Sequence, residues 1–246
     1  MRGSYSGNTL AFQAKARSSI LLPRSKINMS TLHNIFPTAI LVDNFKPTDE
    51  LIKFSKSFNL NPITPDLEHI WGSHSEYLRV LRSDICSDLR KYILDVGTYY
   101  ANELLCYNVD RVIDILSWLS FKSPGNNHIP HMHPNSFISC TYYFEEIHNS
   151  TPLVFKKPKG VPINTFELTP PFNHDKSFSV PTATEHYEIN PKSGDIVFFP
   201  SYMYHFVPQN NTNKIRTSMA VNMMPVNSLG EDTHITTFKY LDAHNH

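Results

Sequence analysis

Cysteine is scarce in this chain. Cys86, Cys106 and Cys140 are the only three among 246 residues, an odd number with no CxxC spacing. That pattern argues against a disulfide framework and fits a reducing compartment. An excess of either charge is also lacking: 22 Lys+Arg balance 22 Asp+Glu. No global basic field recruits nucleic acid, and no acidic balance marks a cation-binding scaffold, although a local basic groove stays open. No apolar run approaches the roughly 18–20 residues that a membrane span requires. Glycine is down to 8 residues, whereas aromatic content is 12% and hydrophobic content 40%. These proportions exclude a low-complexity chain and give enough apolar residues for one sizeable core.

Acidic residues are missing from the N-terminal stretch. The first is Asp43, and before it stand Arg2, Lys15, Arg17, Arg24, Lys26 and several serines. This bias is that of an organelle transit peptide over residues 1–30. The plainer reading is a flexible basic extension over 1–34, with Met29 as an alternative start and a cytoplasmic protein. Residues 35–246 are then a single domain.

Elements follow from periodicity. Residues 36–43 read as a strand, and Pro47–Phe58 as a helix capped by Thr48. Residues 61–77 read as a loop. From Glu76 to Tyr107 the pattern is helical, with Leu78, Leu81, Ile85, Leu89, Ile93 and Val96 forming one apolar stripe. After Asp110 the period changes to two. Val112–Phe121, Phe137–Phe144, Leu153–Lys156, Glu185–Ile189, Asp195–Phe199, His205–Val207 and Ile215–Met223 read as strands separated by Pro and Gly clusters. The expected fold is mainly β with α: a barrel or sandwich supported by N-terminal helices.

Three histidines crowd one short segment: His128, His131 and His133. On a strand, residues two apart share a face, so His131 and His133 can both reach one metal. A metal site also needs a ligand from a distant segment, and His205 is the candidate. Imidazole suits Fe, Zn, Cu and Ni. Three protein ligands with open positions describe a reactive site, not a closed structural one. Gly194–Pro200 is a turn, a strand and a stop that deliver His205 to a strand edge. Arg216 follows eleven residues later, and Ser218 shares its face. Arginine is the side chain that grips a carboxylate with two parallel hydrogen bonds. His128 reads as a loop or supporting residue, Asn135 as a turn residue, and Trp118, Phe144 and Cys140 as core.

Taken together, these residues resemble the 2-oxoglutarate/Fe(II)-dependent dioxygenases, in particular the "putative 2OG-Fe(II) oxygenase" family and the prolyl-hydroxylase-like branch. The resemblance covers residues 112–224. It rests on Phe121-Lys-Ser-Pro-Gly-Asn-Asn-His-Ile-Pro-His131, on Ser139-Cys-Thr-Tyr-Tyr-Phe144, on Gly194–Pro200 with His205, and on Arg216-Thr-Ser218. It implies a double-stranded β-helix (jelly-roll, cupin-like) and a catalytic core over 112–224. It implies Fe(II) on His131, His133 and His205, with 2-oxoglutarate and O2 as co-substrates. Arg216, Ser218, Tyr143 and Phe121 are the implied co-substrate contacts. The implied reaction is hydroxylation of a substrate C–H bond with release of succinate and CO2.

The family's usual motif is His-x-Asp or His-x-Glu, and here the acidic position is His133. Three outcomes stay open: His133 binds, a water completes a two-histidine site, or the frame shifts to His133 and Asn135. The substrate class stays open among peptide, amino acid and small metabolite, and a homodimer is also open. The Pro-, Phe- and Thr-rich loop around 158–184 reads as a surface insertion, with a lid over substrate as the alternative. The rival reading is a cupin-like metal- or ligand-binding barrel without 2-oxoglutarate turnover. A zinc-binding structural domain is weaker, because paired cysteines are absent.

Overall fold

The computed structural model describes residues 38–59, 61–62, 72–145, 151–157, 186–226, 228–229 and 236–237. The basic N-terminal extension and the loop at 158–184, read as an insertion or lid, lie outside them. Among the described residues no helix is long and apolar enough to cross a membrane.

The chain begins with β1 (Leu41–Asn44) and α1 (Asp49–Ser55). Thr48 caps α1, its Oγ1 accepting from the Leu51 amide at 3.2 Å, with Asp49 and Glu50 in the positive first turn. The region read as a loop holds two short strands, β2 (Asn61–Pro62) and β3 (Ser73–His74). Two residues per strand are too few for a periodic signal.

The long helical reading is corrected at its start. Two 3₁₀ turns, Val80–Arg82 and Asp84–Cys86, are separated by the extended Ser83 (ψ 141°). Helix α2 then runs Ser87–Tyr99 and widens into a π-turn at Tyr100–Leu104. The break at Ser83 resets the helical phase. Leu78 and Ile85 therefore end up exposed, while Leu89, Ile93, Gly97 and Tyr100 form the buried stripe.

The remaining strands are β4 (Val112–Lys122), β5 (His128–His131), β6 (Ile138–Tyr143), β7 (Leu153–Lys156), β8 (His186–Ile189), β9 (Asp195–Pro200), β10 (His205–Val207) and β11 (Arg216–Pro225). A short pair, β12 (Ser228–Leu229) and β13 (Thr236–Thr237), follows. Seven strands form one sheet in the order β1-β9-β6-β11-β4-β3-β2, and four form a second, β5-β10-β7-β8. All pairings between these strands are antiparallel.

Alternation along the large sheet decides what each face does. Leu119, Phe121, Cys140, Tyr142, Ile196, Phe198, Met219, Val221 and Met223 pack in one cluster with α1 and α2 residues such as Leu51, Leu89 and Ile93. The opposite face carries Tyr143, Val197 and Phe199, which pack with Leu153, Phe155 and Val207 of the smaller sheet. The large sheet is thus a shared wall, with helices on one side and the second sheet on the other. Buried Asp114 of β4 ties the helical side down. It meets Arg82 Nε at 2.7 Å and Arg90 Nη2 at 2.7 Å.

Candidate metal centre

Three histidines converge between the sheets. One ligating nitrogen each from His131, His133 and His205 lies within 4.8 Å of the other two. His131 ends β5 and His205 begins β10, and the two are cross-strand partners. His133 arrives differently from the expected strand alternation. β5 stops at His131, and His133 sits beyond it, its amide donating to the Ser201 carbonyl at 3.0 Å. Asn135, at φ +56°, then turns the chain into β6.

The ring orientations favour a cation. His131 Nδ1 lies 2.9 Å from the Ile129 carbonyl oxygen, and His205 Nδ1 lies 2.9 Å from the Met203 carbonyl oxygen. A carbonyl only accepts, so both Nδ1 atoms carry the hydrogen. His133 Nδ1 lies 2.6 Å from Asn222 Oδ1 and 2.8 Å from Ser139 Oγ. Nε2 is then the nitrogen with a lone pair in each ring. Burial depresses all three pKa values: His133 falls to about 4, His205 goes well below its ordinary value, and His131 is lowered too. Three neutral imidazoles, His133 and His205 buried and His131 half-buried, with converging lone pairs fit a divalent metal that accepts nitrogen.

The pocket in front of the histidines runs along the inner face of the large sheet. Trp118 and Ser120 of β4, Thr141 and Tyr143 of β6, and Arg216, Ser218 and Ala220 of β11 line it. The register explains the grouping, since Ser218 pairs with Ser120 on one side and Tyr143 on the other. Arg216 is 4% exposed. Its Nη2 donates to the Tyr143 hydroxyl at 3.3 Å, and its guanidinium lies 5.0 Å from the Tyr143 ring centre. Its Nε is buried without a partner, and none of the residues lining the pocket is Asp or Glu. Burial raises the Tyr143 pKa, Arg216 opposing the rise, so the hydroxyl stays protonated and can donate.

Two assignments change. Phe121, taken from the resemblance as a co-substrate contact, lies in the helix-side core at 3% exposure. It is one residue out of phase with Ser120, and strand alternation turns it away from the pocket. Trp118, read as core, is a pocket wall instead, its ring 5.6 Å from that of His133. His128 also lines the pocket and stacks on His131, with ring centres 4.2 Å apart and planes 21° apart. Nothing in its spacing signalled this. The register does: His128 pairs with Val207, the next inward position on β10.

Comparisons agree with this geometry. Residues 116–222 match the family model described as "Putative 2OG-Fe(II) oxygenase". No curated protein matches the sequence. The structure is similar to a prolyl-4-hydroxylase from Pseudomonas putida, at 16% identity and TM-score 0.50, covering 76% of this chain and 93% of that one. It is also similar to a prolyl hydroxylase from Trichoplax adhaerens, solved with a peptide fragment of the hypoxia inducible factor oxygen degradation domain. There identity is 12% and TM-score 0.50, over 76% of this chain and 83% of that one. Likeness at this level establishes the double-stranded β-helix.

Proposed function

We propose that this chain, over residues 116–222 a 2OG-Fe(II) oxygenase and so an oxidoreductase, holds Fe(II) on His131, His133 and His205 and 2-oxoglutarate on Arg216, and hydroxylates a C–H bond of its substrate. Iron with 2-oxoglutarate and O2 supplies the oxidation, splitting 2-oxoglutarate to succinate and CO2 and placing one oxygen atom on the substrate carbon.

The observation that carries the reading is Arg216. A buried cation without a counter-charge costs several kcal/mol. Among the described residues Arg216 enters no ion pair, and its Nε lacks any acceptor. A ligand carboxylate would satisfy it with two parallel hydrogen bonds. Ser218 and the Tyr143 hydroxyl flank the guanidinium and are placed to add donors. A dicarboxylate reaching from the histidines to Arg216 would span the pocket. Trp118 walls the pocket beside His133. The substrate class is a peptide, an amino acid or a small metabolite. The Trichoplax relative, solved with a peptide, supports the first.

Anaerobic reconstitution with Fe(II), followed by O2 and measurement of succinate, tests this. Succinate should form from 2-oxoglutarate even without substrate. Arg216→Ala should raise the 2-oxoglutarate KM on the order of 10- to 100-fold, the value of lost hydrogen bonds to a charged group. Absence of both succinate and iron-dependent 2-oxoglutarate binding would overturn the proposal. Metal binding with neither would favour a cupin-like binding barrel.

A further inference from the structure

We infer that Asn222, with Ser139, is a positioning pair that fixes the tautomer of His133 and so makes this histidine a metal ligand through Nε2. The inference rests on the proposed three-histidine centre and deepens it.

His133 stands where the resemblance leads one to expect a carboxylate. A carboxylate offers an oxygen lone pair in any orientation. A neutral imidazole offers one only from the nitrogen without hydrogen, so a histidine at this position needs its tautomer set. The surroundings of Nδ1 do so. Asn222 Oδ1, an acceptor only, lies 2.6 Å away, and Ser139 Oγ lies 2.8 Å away. Two oxygens cannot face a lone pair at those distances without repulsion. Nδ1 therefore carries the hydrogen, and Nε2 keeps its lone pair.

The hydroxyls behind the pair point the same way. Ser139 Oγ lies 2.9 Å from Asn222 Oδ1 and 2.7 Å from Ser201 Oγ, so its single hydrogen has an acceptor on either side. Ser201 Oγ donates to Ser136 Oγ at 3.0 Å, and Ser136 Oγ faces the Ile138 and Met223 carbonyl oxygens at 3.3 and 3.4 Å. Hydrogens run outward from His133 and end on backbone carbonyls, which leaves the Ser139 lone pairs to accept from Nδ1. A reversed order would turn the Ser136 hydroxyl from both carbonyl oxygens toward Ser201 and leave Asn222 Oδ1 facing a bare Nδ1 lone pair at 2.6 Å.

The fold builds the pair deliberately. Ser139 and Asn222 are direct cross-strand partners on the inner face, 0% and 5% exposed. The register between β11 and β4 shifts immediately after Asn222. Buried Asn and Ser side chains are unfavourable unless hydrogen-bonded, and here their shared partner is one ring nitrogen.

Long-range ¹H–¹⁵N NMR of the metal-free protein, ¹⁵N-labelled at histidine, reads the tautomer directly. His133 is assigned by its loss in His133→Gln. The wild type should show the Nδ1–H form at His133, and an Nε2–H form there would overturn the inference. Ser139→Ala/Asn222→Leu should shift the ring toward Nε2–H and weaken Co(II) binding, followed by its d–d absorption, on the order of 10- to 100-fold. Asn222→Asp keeps an acceptor and should hold both the tautomer and Co(II) affinity near wild type. Unchanged tautomer and affinity in the double variant would also overturn it. Unfolding curves without metal show whether that variant folds, and if it does not, the wild type and Asn222→Asp carry the test. A wild type with Nδ1–H but no Co(II) binding would sink the metal centre while leaving the positioning pair intact.

Discussion

Arg216 and Phe121, both implied by resemblance as co-substrate contacts, separate into two different physical roles. Arg216 pairs with Lys122 across β4 and β11, and Phe121 is the next residue along. One faces the pocket and the other the helices. Phe121→Ala is therefore expected to cost about 3–5 kcal/mol of stability, as for any buried phenylalanine. The folded fraction should keep its 2-oxoglutarate KM, which denaturant titration and succinate assays together would show. Arg216→Lys should behave oppositely. It keeps the charge but loses the planar fork, so its 2-oxoglutarate KM should fall between those of the wild type and Arg216→Ala. An Arg216→Lys enzyme indistinguishable from wild type would mean that charge alone binds the carboxylate.

Elements place these residues, and two joints matter most. Gly194 opens the turn into β9 at φ +85°, and an added Cβ would come within 2.8 Å of the Phe45 carbonyl oxygen. Its amide donates to the Tyr143 carbonyl at 2.7 Å, at the end of the strand that carries Tyr143 into the pocket. Gly194→Ala combines an unfavourable conformation with a backbone clash, so a loss of about 1–3 kcal/mol is expected in thermal or urea unfolding. The second joint is Asp114, which anchors the Arg82 turn and α2 through Arg90. Asp114→Ala would leave two half-exposed cations around an emptied buried position, and a loss of about 3 kcal/mol is expected. Asp114 lies on the helix side and Gly194 meets Tyr143 only through its backbone carbonyl, so succinate formation per folded molecule should persist.

The whole molecule carries a pH signature from its buried histidines. Burial holds His74 and His133 near a pKa of about 4, against an ordinary value near 6.5. In the unfolded chain they take up protons as pH falls through 6.5, while the folded protein refuses them until about 4. The unfolded state binds more protons in that window, so stability rises with pH across it and is lost on acidification. Metal-free protein is expected to lose roughly 2 kcal/mol per such histidine between pH 7 and pH 5, measurable by urea titration at the two pH values. A flat profile would show that these rings reach solvent in the native state.

Much of the architecture was legible because alternation and strand length are local properties. Leu153–Lys156 and His205–Val207 were read with their observed limits, and the other strands read after Asp110 within one or two residues, whereas the strand read over 36–43 is observed from Leu41 to Asn44 and His128–His131 was not read as one. Thr48 announced its helix through its own hydroxyl. The histidines, Arg216 and Ser218 were visible because chemistry-bearing side chains at fixed spacing stand out from a core pattern. What the sequence by itself determined was this set of candidates and the period of each segment around them. The tertiary structure decided which face of β4 met the pocket, that His128 stacks on His131, and that Ser83 breaks the helical phase. It alone brought Asn222 and Ser139 against His133, 89 and 6 residues away along the chain. The reason is physical. A strand's alternation is written in neighbouring residues, whereas a hydrogen-bond partner for a buried ring nitrogen is set by the register between strands, which no local pattern encodes.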